Sequence, residues 1–185
     1  MILIIDLCRK PDSLSKTEFV NPVAEIVDSC GVIFKIMHYK EISCEDINKA
    51  DGAILCGTAL KDNEFLNDIK LFDWIKTINI PVMGVCAGIQ VISGVFGGKV
   101  VKDKKIGMTK VSCVADDPVI SKKEEFEAYE LHNYSVTVPD CFIEIARSDD
   151  GIQAIKHKEK SVYGVVFHPE VRNEWVLKNF IISLI

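Results

Sequence analysis

Four short apolar runs constrain the fold of this chain more than any other feature: residues 1–6 (MILIID), 32–38 (VIFKIMH), 52–56 (GAILC) and 81–86 (PVMGVC). Each has the length of a buried strand. Between the first two, Val23, Ile26, Val27 and Cys30 recur at helical spacing over residues 22–30. Between the last two, Phe65, Ile69, Phe72, Trp74 and Ile75 predict a second amphipathic helix. Strands that alternate with helices imply a parallel sheet covered on both faces, because each parallel connection must cross back over the sheet.

After Gly98 the texture changes. β-rich segments follow one another at 99–101, 108–115, 134–138, 142–147, 152–157 and 162–167, and helical periodicity returns only over 174–184. The pattern predicts an α/β fold: a mixed, mostly parallel central sheet flanked by helices, with extra antiparallel strands in the C-terminal half. The polar run 116–127, which holds Lys122, Lys123, Glu124 and Glu125, reads as an exposed loop or short helix. No repeat, low-complexity tract or linker interrupts the chain, so residues 1–185 are expected to form one domain.

Composition narrows the function. At 48% hydrophobic and 26% charged residues the chain is an ordinary globular protein, and a formal net charge of -5 leaves no basic footprint for nucleic acid. No apolar run approaches the ~20 residues that cross a bilayer, and the opening run lacks the charged start and length of a signal peptide. A cytoplasmic protein with no membrane partner is expected. The seven cysteines (Cys8, Cys30, Cys44, Cys56, Cys86, Cys113 and Cys141) are odd in number, scattered and free of any C-x-x-C pair, which indicates neither a disulfide framework nor a zinc site. The four histidines, His38, His132, His157 and His168, show no ligand spacing, and there is no phosphate-cradling loop. No metal and no organic cofactor is expected in this chain.

One cysteine stands apart by its context. In Gly84-Val85-Cys86-Ala87-Gly88 an apolar strand meets a cysteine with glycine two residues away on either side, and the chain then enters a helical stretch over 90–96. A nucleophile on a tight strand-to-helix turn sits in a strained backbone with neighbouring chain too close for side chains, which is why glycine is needed there. The turn also aims backbone N–H groups at the thiol, a setting that favours the reactive thiolate and can hold an oxyanion. The same pattern fits a buried structural cysteine with tightly packed glycines. What separates the two is Phe167-His168-Pro169-Glu170 at the end of the last β run: an imidazole, with an acid two residues on across a stiff proline, placed at the same carboxyl edge of the sheet as Cys86. Cys8 also lies at a strand end, but it has no elbow and no paired base nearby in sequence.

With these residues in view, the chain resembles the class I, triad-type glutamine amidotransferases. GVCAGIQ and YGVVFHPEV match that family's two signature motifs, and ILIID, FGGKV, IGMTKV and LHNYSV agree in order and spacing. The resemblance implies a flavodoxin-like fold and hydrolysis of glutamine to glutamate and ammonia. It implies Cys86 as nucleophile, His168 as the base that takes its proton, and Glu170 as the acid that orients the imidazole. It further implies an oxyanion hole from the Gly57 and Ala87 amides, and a hold on the amino-acid end of glutamine by Gln90 and the backbone at Asn133 and Tyr134, after His132.

The family's usual glycine-proline turn after the third strand reads Cys56-Gly57-Thr58-Ala59 here. Without proline the loop 57–67 has more conformations to lose, so a mobile or misaligned loop and slow basal activity are expected in the isolated chain. Fifteen residues follow Glu170, so the activation of an ammonia acceptor is expected on a partner synthetase of ATP-pyrophosphatase type, which would carry the ATP and Mg. Residues 154–158 with VYGVVFHPEV are most similar to glutaminase subunits of GMP synthase, and anthranilate synthase glutaminases are nearly as similar. Two other readings use the same fold: a stand-alone γ-glutamyl hydrolase, and a catalytically degenerate regulatory subunit.

Overall fold

The computed structural model describes residues 1–11, 13–120 and 124–184. Its N-terminal half runs β1 (Ile2–Asp6), α1 (Leu14–Phe19), α2 (Asn21–Ser29), β2 (Phe34–His38), α3 (Cys44–Lys49), β3 (Gly52–Leu55), α4 (Trp74–Thr77), β4 (Val82–Val85) and α5 (Ala87–Val95). The remainder runs β5 (Val100–Cys113), β6 (Glu125–Val136), β7 (Phe142–Ser148), β8 (Gly151–His157), β9 (Val162–Val165) and α6 (Glu174–Ile182). The nine strands form one sheet in the order β2-β1-β3-β4-β9-β8-β7-β5-β6. The first five in that order pair parallel, and from β9 onward every pairing is antiparallel. The parallel part has the flavodoxin-type order, in which ligands collect outside the carboxyl ends of the strands. The α/β class with a mixed sheet and an antiparallel C-terminal half is the one that the sequence predicts.

All five residues of β1 are buried, and their alternation supplies both faces of the sheet. Ile2 and Ile4 pack with Val23, Val27, Leu177 and Phe180 from α2 and α6, while Leu3 and Ile5 join the layer that holds Phe72, Ile75, Val91 and Ile92. Pro22 sits in the first turn of α2, where a missing N–H costs nothing. Ser43 and Asp46 close a capping box on α3, a helix too short and polar to show in the hydrophobic pattern.

Three local expectations change. The helix predicted through Phe65 to Ile75 is instead two single 3-10 turns, Glu64–Leu66 and Ile69–Phe72, followed by the single turn of α4. Phe65, Phe72 and Ile75 are buried as their spacing suggests, but Asn63, Asn67, Asp68 and Asp73 punctuate the segment, and such side chains favour turns and helix ends over helix interiors. The segments 99–101 and 108–115 belong to one fourteen-residue strand, β5, whose exposed stretch Lys102 to Met108 masks its continuity in the sequence. The polar run 116–127 is not a wholly exposed loop: Asp117, Val119, Ile120 and Phe126 are buried and β6 begins at Glu125. The part of that run at 121–123, including Lys122 and Lys123, lies outside the described residues.

Candidate active site

Cys86 is the only non-glycine among the described residues with positive φ, at 49° with ψ −98°, at the junction of β4 and α5. Its N–H donates to Val165 O of β9 at 2.9 Å, which ties the elbow to the neighbouring strand. The flanking glycines are required by contact. A Cβ on Gly84 would lie 2.5 Å from the backbone of Gly88, and one on Gly88 would lie 2.4 Å from Leu55 O. Gly164 of β9 permits the same close approach from the far side, since its Cβ would meet Ile89 Cγ1 at 2.5 Å. Three glycines on three elements thus let a cysteine hold a strained backbone conformation that packing over-determines.

Immediately after β9, His168 and Glu170 come to the same edge. His168 N–H donates to Tyr129 O at 2.8 Å, and Nδ1 meets Glu170 Oε1 at 2.7 Å. The second oxygen of Glu170, also buried, makes no hydrogen bond among the described residues, so the carboxylate is committed to the ring. Nε2 of His168 lies 3.4 Å from Leu131 O, and Cys86 Sγ lies 3.5 Å from the same oxygen. Burial alone would lower the His168 pKa. The neighbouring Cys86 and Glu170 outweigh it and hold the pKa well above the usual histidine value.

The other cysteines of this region lack such a setting. Cys8 is fully buried, and burial together with Asp6 pushes its thiol up to about 12. Burial, reinforced by Glu170 and Asp6, likewise drives Cys56 well above the ordinary thiol range. Neither is a nucleophile at neutral pH.

Gly57 follows β3 and lies against both side chains: a Cβ there would stand 2.7 Å from His168 Cε1 and 3.5 Å from Cys86 Cβ. Neither the Gly57 nor the Ala87 amide is spent on a hydrogen bond among the described residues. Side-chain hydrogen bonds anchor the loop that follows. Thr58 Oγ1 donates to Asp62 Oδ2 at 3.0 Å, Arg9 N–H to the same oxygen at 3.2 Å, Asp62 N–H to Ala59 O at 2.8 Å and Asn133 Nδ2 to Leu60 O at 2.8 Å. Side-chain bonds do here what ring rigidity does elsewhere.

This loop, the elbow and β6 enclose a cleft of about 300 Å³, open mouth included, with Cys86, Ala87 and Gln90 on one wall and Leu131 to Tyr134 on the other. Gln90 Nε2 donates to Tyr134 O at 3.3 Å. The structure therefore lines one cleft with Cys86, Ala87, Gln90, Asn133 and Tyr134, while Gly57 and His168 stand against one another beside Cys86 and Glu170 lies behind the His168 ring. Sequence reasoning missed the Leu131 carbonyl and the buried Glu130–His132 pair behind it. A backbone acceptor carries no residue-type signal, and Glu-x-His in a strand looks the same whether it faces solvent or the interior.

The fold and this arrangement define an α/β protein built around a cysteine elbow. A sequence model of glutamine amidotransferase class-I matches residues 15–182, and the chain belongs to that family: it is a glutamine amidotransferase, an enzyme of amide C–N hydrolysis. The glutamine-hydrolysing GMP synthase subunit of Sulfolobus acidocaldarius is 37% identical over 149 residues, covering 75% of this chain and 79% of its own. The glutamine-hydrolysing GMP synthase of Staphylococcus carnosus is 32% identical over 98% of this chain, which spans only 35% of that longer protein. Among solved structures, a candidate GMP synthase subunit from Thermoplasma acidophilum matches with a TM-score of 0.86 at 27% identity, covering 99% of this chain and 92% of that one.

Proposed function

We propose that this chain hydrolyses glutamine through Cys86, His168 and Glu170 and hands the ammonia to a separate synthetase subunit of ATP-pyrophosphatase type, in a GMP synthase. The observation that carries the reading is the convergence of Cys86 Sγ and His168 Nε2 on one carbonyl oxygen while Nδ1 is held by Glu170.

The chemistry follows from those positions. His168 takes the proton of the Cys86 thiol at Nε2, and the thiolate attacks the side-chain carbonyl carbon of glutamine. The resulting oxyanion is held by the Gly57 and Ala87 N–H groups, which make no other hydrogen bond among the described residues. His168 then returns its proton to the leaving nitrogen, the C–N bond breaks, and ammonia departs from a γ-glutamyl thioester. Water, deprotonated by His168, attacks the thioester, and glutamate and the Cys86 thiol are regenerated. Glu170 keeps the ring oriented and stabilises its charged form throughout. Gln90 and the backbone at Asn133 and Tyr134 hold the amino-acid end of the substrate. The similarity to GMP synthase subunits supports the partner and its acceptor chemistry, with ATP and Mg bound by that partner in the cytoplasm.

The test measures ammonia release from glutamine by the isolated chain, then with the candidate synthetase, ATP, Mg and xanthosine monophosphate. Coupled formation of GMP that depends on Cys86 is expected. Glutamine hydrolysis that is fast alone and indifferent to any synthetase would favour the stand-alone γ-glutamyl hydrolase, a reading to which the hydrogen-bonded loop after Gly57 lends some support.

A further inference from the structure

The Leu131 carbonyl is in contact with both ends of the proposed proton transfer, and its position is set by side chains that the mechanism does not use. β6 is the outermost strand of the sheet and pairs only with β5. Its free edge turns toward the site, with Tyr129 O accepting from His168 N–H and Leu131 O facing Sγ and Nε2. On either side of Leu131 in sequence, Glu130 and His132 are 6% and 2% exposed, and His132 Nε2 lies 3.2 Å from Glu130 Oε1. Gln153 Nε2 donates to that same oxygen at 2.8 Å and also reaches Ser148 Oγ at 3.2 Å. His132 Nδ1 lies 2.9 Å from Asp103 O. That oxygen is available because the β5–β6 register shifts between Lys102, which pairs Tyr134, and Lys105, which pairs His132, so Asp103 falls out of the ladder.

A buried carboxylate–imidazole pair is a poor way to stabilise a hairpin, because desolvation offsets its attraction and apolar residues of similar volume usually do as well. The pair is instead placed to fix one oxygen. We infer that His132 and Glu130 are positioning residues that lock the Leu131 carbonyl where it accepts first the Cys86 S–H and then the His168 Nε2–H as the proton moves between them. The inference rests on the glutaminase reading above. Because the carbonyl holds only the protonated ring, loosening it should make His168 lose its proton at lower pH. The titratable groups around His168 are Cys86 and Glu170, with Asp6 acting on Cys56 beside them, and Glu25, Glu174 and Lys178 around the far side of Glu170. Behind Leu131, Lys105, which is paired with Asp150, adds to the field at Glu130.

The test compares His132→Leu, His132→Asn and Glu130→Gln with the wild type in glutamine hydrolysis across pH. A second readout is site-resolved alkylation of Cys86 by iodoacetamide, followed by peptide mass spectrometry. His132→Leu is expected to lose about tenfold in kcat, the scale on which small misplacements act, with KM within about twofold and the alkaline limb of the pH profile moved to lower pH. His132→Asn, whose amide takes the place of Nδ1 beside Asp103 O but does not reach Glu130, should recover only part of kcat. If His132→Leu does not fold, Glu130→Gln, which keeps shape and removes charge, carries the same expectation. Unchanged kcat and pH limbs in folded His132→Leu or Glu130→Gln would overturn the inference, as would a rise in KM alone, which would make His132 a substrate contact. A wild type inert toward glutamine would instead overturn the glutaminase reading, and the alkylation profiles would still decide the role of His132.

Discussion

Cys86 and Glu170 together decide the charge of His168, and with it the charge of the site. The imidazole is almost wholly buried, which by itself disfavours the cation, and only the carboxylate at 2.7 Å together with Cys86 reverses that preference. Since the folded pKa of His168 is raised above its ordinary value, the stability gained from protonation is fully present below about pH 6.5 and is lost as pH rises through the raised value. Glu170→Gln keeps the shape and a neutral hydrogen bond but removes the charge. It should therefore lower the melting temperature most at pH 5.5–6.5, by roughly 4–8 °C if the charged hydrogen bond contributes about 2 kcal/mol, and progressively less on the alkaline side. Melting curves of the two proteins across pH check this, and a gap that widens with rising pH would contradict it. At this scale Cys86 was legible because glycine spacing marks it, while Cys8, chemically the same residue, was set aside for want of that context, and Cys56 has no such spacing either. The structure gives the reason in burial and in acid neighbours that hold both thiols protonated.

Among the elements, the elbow could be read from the sequence because close backbone approach excludes every side chain: Gly84 and Gly88 have no alternative residue, and a requirement that strict leaves a visible pattern. The loop after β3 could not be read in the same way. Its anchors are Thr58, Asp62 and Asn133, polar residues whose pairing reaches as far as 73 positions along the chain, which local sequence does not reveal. The long hairpin of β5 and β6 was only partly legible as well, since its exposed outer half lacks apolar alternation and a bulge shifts the register midway. Gly57 joins loop and site. Gly57→Ala would drive a methyl to 2.7 Å from His168 Cε1, and the ring, fixed by Glu170, has little room to retreat. The expected result is a loss of about 10² in kcat, as for other small displacements of reacting groups, with the folded structure retained by circular dichroism; steady-state kinetics within a fewfold of the wild type would show that the loop moves instead.

For the whole molecule, the alternation of apolar runs and helical spacings was enough to give the sheet and its carboxyl edge, and the edge is where β3, β4 and β9, adjacent in the sheet, deliver Gly57, Cys86 and His168. The antiparallel half adds the opposite wall of the cleft through β6. This division explains why Cys86 and His168, the proposed reacting pair, lie on the parallel part while the Leu131 oxygen and its buried supports come from the part that was harder to read. Among the described residues no helix is long and apolar enough to cross a membrane. The account stands or falls on Cys86 as the nucleophile that cleaves glutamine. The most direct measurement is the rate of ammonia and glutamate release by the wild type and by Cys86→Ala, each in the presence of the candidate synthetase and its nucleotides. The account predicts stoichiometric glutamate and ammonia from the wild type and none above the uncatalysed background from Cys86→Ala, with the melting temperatures of the two proteins alike. Near-normal hydrolysis by folded Cys86→Ala would contradict it.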